Sequence, residues 1–268
     1  MSQPRPWVLS EVSYGHVKQN QYEVAVLPLG ATEPHNLHLP YGTDHFEGSK
    51  IGERICEAAH QQGAKVILLP TMPYGTETNM RQFPLAMNVD PSTLFAVVTD
   101  LVASLVQSGI RKVVLLNSHG GNEMKPLLRE LYGKTEAHVF LCNWFKILSD
   151  EYHSIFEHKE DHAGEMETSL IMAYWPQLVA HKADGSLDAD SGATRKMAFE
   201  ALENGWVSIT RPWHLLTTNS GSGYPHAATP EKGERLMELL VNRLAPFLVQ
   251  LSQAELDEHF PFVPGDPA

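Results

Sequence analysis

Two cysteines among 268 residues, Cys56 and Cys142, are too few and too far apart for a disulfide framework or a thiolate zinc site. Basic residues are scarce as well: 20 Lys and Arg against 32 Asp and Glu leave a formal charge of −12. That balance argues against nucleic-acid and anionic-membrane partners, which select a Lys/Arg footprint. No apolar run approaches the ~20 residues that span a bilayer. Residues Met1 to Trp7 lack the apolar core of a signal peptide, so a cytoplasmic protein is expected. No repeat, low-complexity block or charge run marks a linker; residues 1–268 are expected to form one domain with a proline-rich tail from about 260. HExxH and GxSxG are absent too. Gly133-Lys134-Thr135 lacks the upstream P-loop glycine, which is Leu128 here, and Gly221-Ser222-Gly223 lacks the third glycine of a dinucleotide fingerprint.

What the chain has is strand–helix alternation. Short apolar runs at Val24–Leu29, Val66–Leu69, Val113–Leu116 and Ala137–Cys142 have the character of strands buried on both faces. Helical patterns separate or follow them at His45–Gln62, from Asp90-Pro91 to about Ser108, and at Glu123–Tyr132. Further helices are expected at Glu165–Tyr174, Ser191–Glu203 and from Thr229-Pro230 to about Leu251, with a strand at Trp206–Thr210. The pattern predicts an α/β fold, three layers (α/β/α) around a mainly parallel central sheet.

The 14 histidines are the compositional oddity, and their placement carries the information. In an open α/β sheet, ligands bind beyond the carboxyl ends of the strands. After the first strand, Glu33 to His45 holds two carboxylates and three histidines; after the third comes Asn117-Ser118-His119-Gly120-Gly121-Asn122-Glu123. Later, Asp161-His162-Ala163-Gly164-Glu165-Met166-Glu167 leads into a helix. Imidazole and carboxylate ligands without thiolates suit Zn²⁺, Mn²⁺ or Fe²⁺. Glu33 and His35 could serve two neighbouring ions with Asp44 between them, and the glycines after His119 would let backbone pass close to an ion or substrate. His60, His138, His153, His158, His181 and His259 read as surface or core residues, and both cysteines as core.

Three segments in this order, Glu33-Pro34-His35-Asn36-Leu37-His38-Leu39-Pro40 through Asp44, Asn117–Asn122, and His162-Ala163-Gly164-Glu165 through Ser169, resemble the creatininase (creatinine amidohydrolase) family. Ala228-Thr229-Pro230-Glu231-Lys232-Gly233 is similar to that family's start of the last helix, and the resemblance runs from about residue 8 to 250. It implies a three-layer hydrolase, often hexameric, that uses two divalent metal ions (Zn²⁺ and/or Mn²⁺, with Fe²⁺ possible) to cleave non-peptide C–N bonds. By resemblance Glu33, Asp44 and His119 hold one ion, and His35 and Asp44 the second. The glutamate that completes the second site in creatininase falls on Gly121; Glu165 is the expected substitute and Glu123 the runner-up. Water activated between the ions attacks the amide carbon, His162 carries the proton to the leaving nitrogen, and Asp161 or Glu167 orients His162.

The departures shape the substrate expectation. Glu157-His158-Lys159-Glu160 offers no tryptophan to close the site, and Gln82, Leu85 and Ala86 replace family residues around Phe83-Pro84; Trp144 is the one matching aromatic. These changes point away from creatinine and toward another small cyclic amide, lactam or formamide. The alternatives are a peptidase acting on a peptide or peptide-derived cofactor precursor, and a metal-binding homologue without catalysis.

Overall fold

The computed structural model describes residues 4–263 and residue 265. Residues 1–3, 264 and 266–268 lie outside it, so the signal-peptide and tail readings fall partly on residues not described. The four apolar runs form β1 (Val24–Leu29), β2 (Val66–Leu68), β3 (Lys112–Asn117) and β4 (His138–Asn143). All pairings are parallel, in the order β2-β1-β3-β4, with Val24 opposite both Val66 and Lys112. Because side chains alternate along a strand, the two faces sort cleanly. Val24, Val26, Val114 and Leu116 enter one apolar cluster, and Ala25, Leu27, Val113 and Leu115 the other.

Five longer helices cover those faces: α1 (Thr43–Gln61), α2 (Pro91–Gln107), α3 (Lys125–Leu131), α4 (Glu165–Tyr174) and α5 (Pro230–Gln253). Ile51 and Ile55 of α1, Leu170 of α4 and Leu236 and Leu240 of α5 pack on the first face. Leu94, Val98 and Val102 of α2 and Leu127 of α3 pack on the second. The three-layer α/β/α architecture is as the sequence predicts. Thr229 caps α5 by accepting from Lys232 N at 3.3 Å. Asp90 precedes α2 without capping it, its carboxylate accepting from Arg81 and Asn88 instead. Helices α4 and α5 cross closely, because a side chain at Gly233 would collide with the backbone of Ser169.

Two expectations in the second half fail. Trp206–Thr210 is not a strand; Trp206 is 73% and Ile209 62% exposed, and no strand among the described residues pairs with it. Of the helix expected at Ser191–Glu203 only Glu200–Glu203 forms. Both are segments whose local pattern has no core face to bury.

Strand order places the site. The chain leaves β1 toward β2 on one side and later returns to β3 on the other, so the connections diverge between β1 and β3. Their carboxyl ends flank the topological switch point at which open α/β sheets bind ligands.

Candidate metal centre

The loop after β1 is held tightly against the start of α1. At Gly30 a Cβ would lie 2.8 Å from His45 Cα, so only glycine lets the strand end this close to Asp44. The loop buries Glu33 and His35, and the first turn of α1 buries Asp44. His35 Nδ1 lies 3.0 Å from the Glu33 carbonyl oxygen. Nε2 faces Asp44 Oδ1 at 3.2 Å, so the ring is oriented with Nδ1 on a carbonyl and Nε2 toward the place an ion would take.

Asp44 sits between two imidazoles. Its Oδ1 faces His35 Nε2, and its Oδ2 faces His119 Nδ1 at 3.0 Å. His119 comes from the loop after β3, and its Nδ1 is also 3.1 Å from Glu33 Oε1. Strand topology thus brings together Glu33, His35, Asp44 and His119 as the sequence led one to expect. Burial disfavours every charge here, yet the facing partners prevail for most of them. Asp44 holds His35 up to about 10, Glu33 holds His119 well above the usual imidazole range, and His119 and His162 hold Glu33 well below the usual carboxylate range. Glu33 Oε2 and Asp44 Oδ2 have no hydrogen-bond partner although buried. Buried carboxylates left so fit the donor set of divalent cations.

The third loop divides its residues differently from expectation. His162 joins the centre, with Nδ1 3.6 Å from Glu33 Oε1 and its ring 4.2 Å from that of His35. Its Nε2 bonds the Pro34 carbonyl at 2.8 Å, and its backbone is pinned by a two-way pairing with Ser222. Pro34, rather than Asp161 or Glu167, therefore orients the ring. Asp161 turns outward to Arg211 at 2.7 Å. Glu165 does not reach the centre: Lys232 Nζ donates to its Oε1 at 2.5 Å, and Glu157 N and His158 N donate to its Oε2. It ties the start of α4 to the first turn of α5. Glu167 is the acid of α4 that turns toward His35 and Asp44. Its Oε2 is 4.0 Å from His35 Nε2 and accepts from Ala163 N at 2.6 Å. His35, Asp44 and Glu167 each offer a ligand atom, all within 4.8 Å of one another. Glu123 is exposed and belongs to no such group among the described residues.

Two buried acids escaped the sequence reading as site residues. Glu77, in the loop after β2, puts Oε1 3.0 Å from His119 Nε2, and burial together with Glu33 pushes it up to about 10. The strand-end rule covers that loop, but no histidine drew attention to it. Glu47, one turn after Asp44, is fully buried with neither oxygen hydrogen-bonded. Burial, then Glu167 and Asp44, raise it well above the usual range. An acid raised in the folded state destabilises progressively as pH climbs above its unfolded value of about 4.3. Glu47→Gln is therefore expected to raise the melting temperature of chelator-treated protein, by more at pH 8 than at pH 5. The scale is that of an unsatisfied buried group, about 1–3 kcal/mol, and pH-resolved thermal melts check it. An unchanged or lower melting temperature at pH 8 contradicts it.

The sequence model of the creatininase family, described as creatinine amidohydrolase, matches residues 10–248. The chain belongs to the creatininase family. Creatinine amidohydrolase of Pseudomonas putida is 29% identical over 242 residues, 83% of this chain and 87% of that protein. Mycofactocin precursor peptide peptidase of Mycobacterium ulcerans is 25% identical over 221 residues, 81% of each chain. Among solved structures, a Bacteroides fragilis protein assigned to the creatinine amidohydrolases superposes with a TM-score of 0.86 at 35% identity, covering 96% of this chain and 100% of that one. A manganese form of creatininase superposes at 0.73 with 21% identity, covering 93% and 100%. The protein is a creatininase-family hydrolase of C–N bonds, in a family whose amidohydrolases are metal-dependent.

Within this creatininase-family frame the centre opens into a cavity of about 830 Å³. Trp213, its indole bonded to the Ser220 carbonyl, stands edge-on to His162 at 6.0 Å, and Arg211 stacks on it at 4.6 Å. Residues Ser208–Thr210, expected as part of a strand, line the cavity as a loop beside Arg211. Trp144 is instead a core residue, 1% exposed and bonded to Ser118 Oγ. Gly121 is required for a reason other than the expected one: a side chain there would strike His119 Nε2 and the Thr76 carbonyl. No described helix is long and apolar enough to cross a membrane.

Proposed function

We propose that this protein hydrolyses an amide, lactam or formamide C–N bond of a small molecule, using two divalent ions, Zn²⁺ and/or Mn²⁺. The observation that carries the reading is Asp44, which offers one oxygen toward His35 and the other toward His119. Glu33, Asp44 and His119 would hold one ion; His35, Asp44 and Glu167 would hold the other. When bound, such ions polarise a carbonyl and make water a nucleophile near neutral pH. The chain's own residues supply the rest. His162, with Nε2 fixed on Pro34, has Nδ1 free to take a proton and pass it to the leaving nitrogen. Trp213 walls the cavity beside His162.

The cavity volume lies in the range of small-molecule pockets, which favours a compact substrate over an extended peptide. Support also comes from solved creatininases carrying manganese or a zinc pair, whose fold this chain shares. A panel of small lactams, hydantoins and formamides, assayed for ring opening or formate release with and without chelator, tests the proposal. Chelator-sensitive turnover of one class is expected. Turnover that chelator leaves unchanged, or turnover of peptides alone, would contradict it.

A further inference from the structure

Glu77 is the carboxylate the proposed centre leaves unused. Its backbone is fixed from both sides. Glu77 N donates to Asn88 Oδ1 at 2.8 Å, and the preceding Thr76 N donates to Asn122 Oδ1 at 3.0 Å. Asn122 in turn bonds Gly30 and Asn117, so the loops after β1, β2 and β3 are laced together around this point. The side chain that results is 0% exposed, and neither oxygen has a hydrogen-bond partner. Oε1 is 3.0 Å from His119 Nε2, yet that nitrogen bonds the Thr76 carbonyl at 3.1 Å, so the carboxylate is not the ring's acceptor. It faces inward instead, and Glu33, Glu77 and His119 each present one ligand atom within 4.8 Å of the others.

A buried carboxylate beside a second one is costly unless a cation or a proton lies between them. Position 121 of the loop after β3 can supply no acid at this spot, because it has no room for a side chain. We propose that Glu77 is a further ligand of the metal centre, delivered by the β2 loop to the ion that Glu33 and His119 hold. This rests on the dinuclear reading above. It makes that subsite rich in oxygen, with Glu33, Asp44 and Glu77 against one imidazole, a composition that suits Mn²⁺.

The test uses chelator-stripped full-length protein titrated with MnCl₂, free Mn²⁺ being read from its EPR signal. Wild type is expected to take up two ions per chain. Glu77→Gln keeps the shape and one acceptor oxygen but loses the anion; it should bind one of the two ions at least about tenfold more weakly. If a proton shared with Glu33 is the true state, Glu77→Gln binds both ions like wild type, which overturns the proposal while leaving the dinuclear reading intact. Wild type that binds no Mn²⁺ overturns both. Far-UV circular dichroism of the stripped variant checks folding. Should it not fold, a crystal structure of Mn²⁺-loaded wild type decides: a Glu77 oxygen at about 2.0–2.3 Å from an ion supports the proposal, and a carboxylate outside the coordination sphere overturns it.

Discussion

Asp44→Asn is expected to leave at most one divalent ion per chain and to lower turnover at least about a hundredfold. The side chain is 1% exposed and gives each imidazole its own oxygen, Oδ1 at 3.2 Å from His35 and Oδ2 at 3.0 Å from His119, whereas Glu33 meets both rings with one oxygen, at 4.0 and 3.1 Å. Asparagine keeps the volume and one acceptor oxygen but replaces the other with an amide that points a donor at an imidazole. The substitution also removes a contribution to stability. Although burial opposes it, His35 holds the Asp44 carboxyl below its ordinary value. A depressed acid stabilises the fold above its unfolded value of about 3.9 and loses that contribution as pH falls through the folded value. Elemental analysis beside an activity assay checks the variant. Two ions per chain in folded Asp44→Asn would remove this residue from the centre.

His162→Ala is expected to lower kcat by roughly 10²- to 10⁴-fold, the usual worth of a positioned acid–base group, with both ions retained. The ring is buried and fixed from three directions, by Pro34 at Nε2, by Ser222 through the backbone and by Trp213 beyond. Such anchoring suits a side chain that must return a proton to one place. Metal content is the deciding companion measurement, because Glu33, His35 and His162 also form a possible ligand group. Loss of an ion together with activity would make His162 a ligand and not a proton carrier. Loss of kcat with both ions present, partly restored by added imidazole, is the result the proton role requires.

The sheet was readable because buried parallel strands must be apolar on both faces; Val24–Leu29 and Val113–Leu116 have no polar interruption. Glu33, His35, Asp44 and His119 were readable by the same logic, since they crowd two strand ends that the topology makes neighbours. Glu165 and Glu167 were not separable in this way. Residues two apart on a helix point about 200° from each other, and which one turns inward is settled by Lys232, 67 positions later. Glu77 needed the register of a third strand and a close approach at Gly121, neither of which leaves a local pattern. Trp206–Thr210 shows the converse, a β-like composition on a segment that joins no sheet and whose last three residues line a cavity.

Metal content per chain, measured by elemental analysis on protein purified without chelator or histidine tag, tests the central claim most directly. The account predicts two divalent ions per chain, removed by chelator together with hydrolysis and restored by Mn²⁺ or Zn²⁺. One ion or none, unchanged after soaking with either metal, would contradict it.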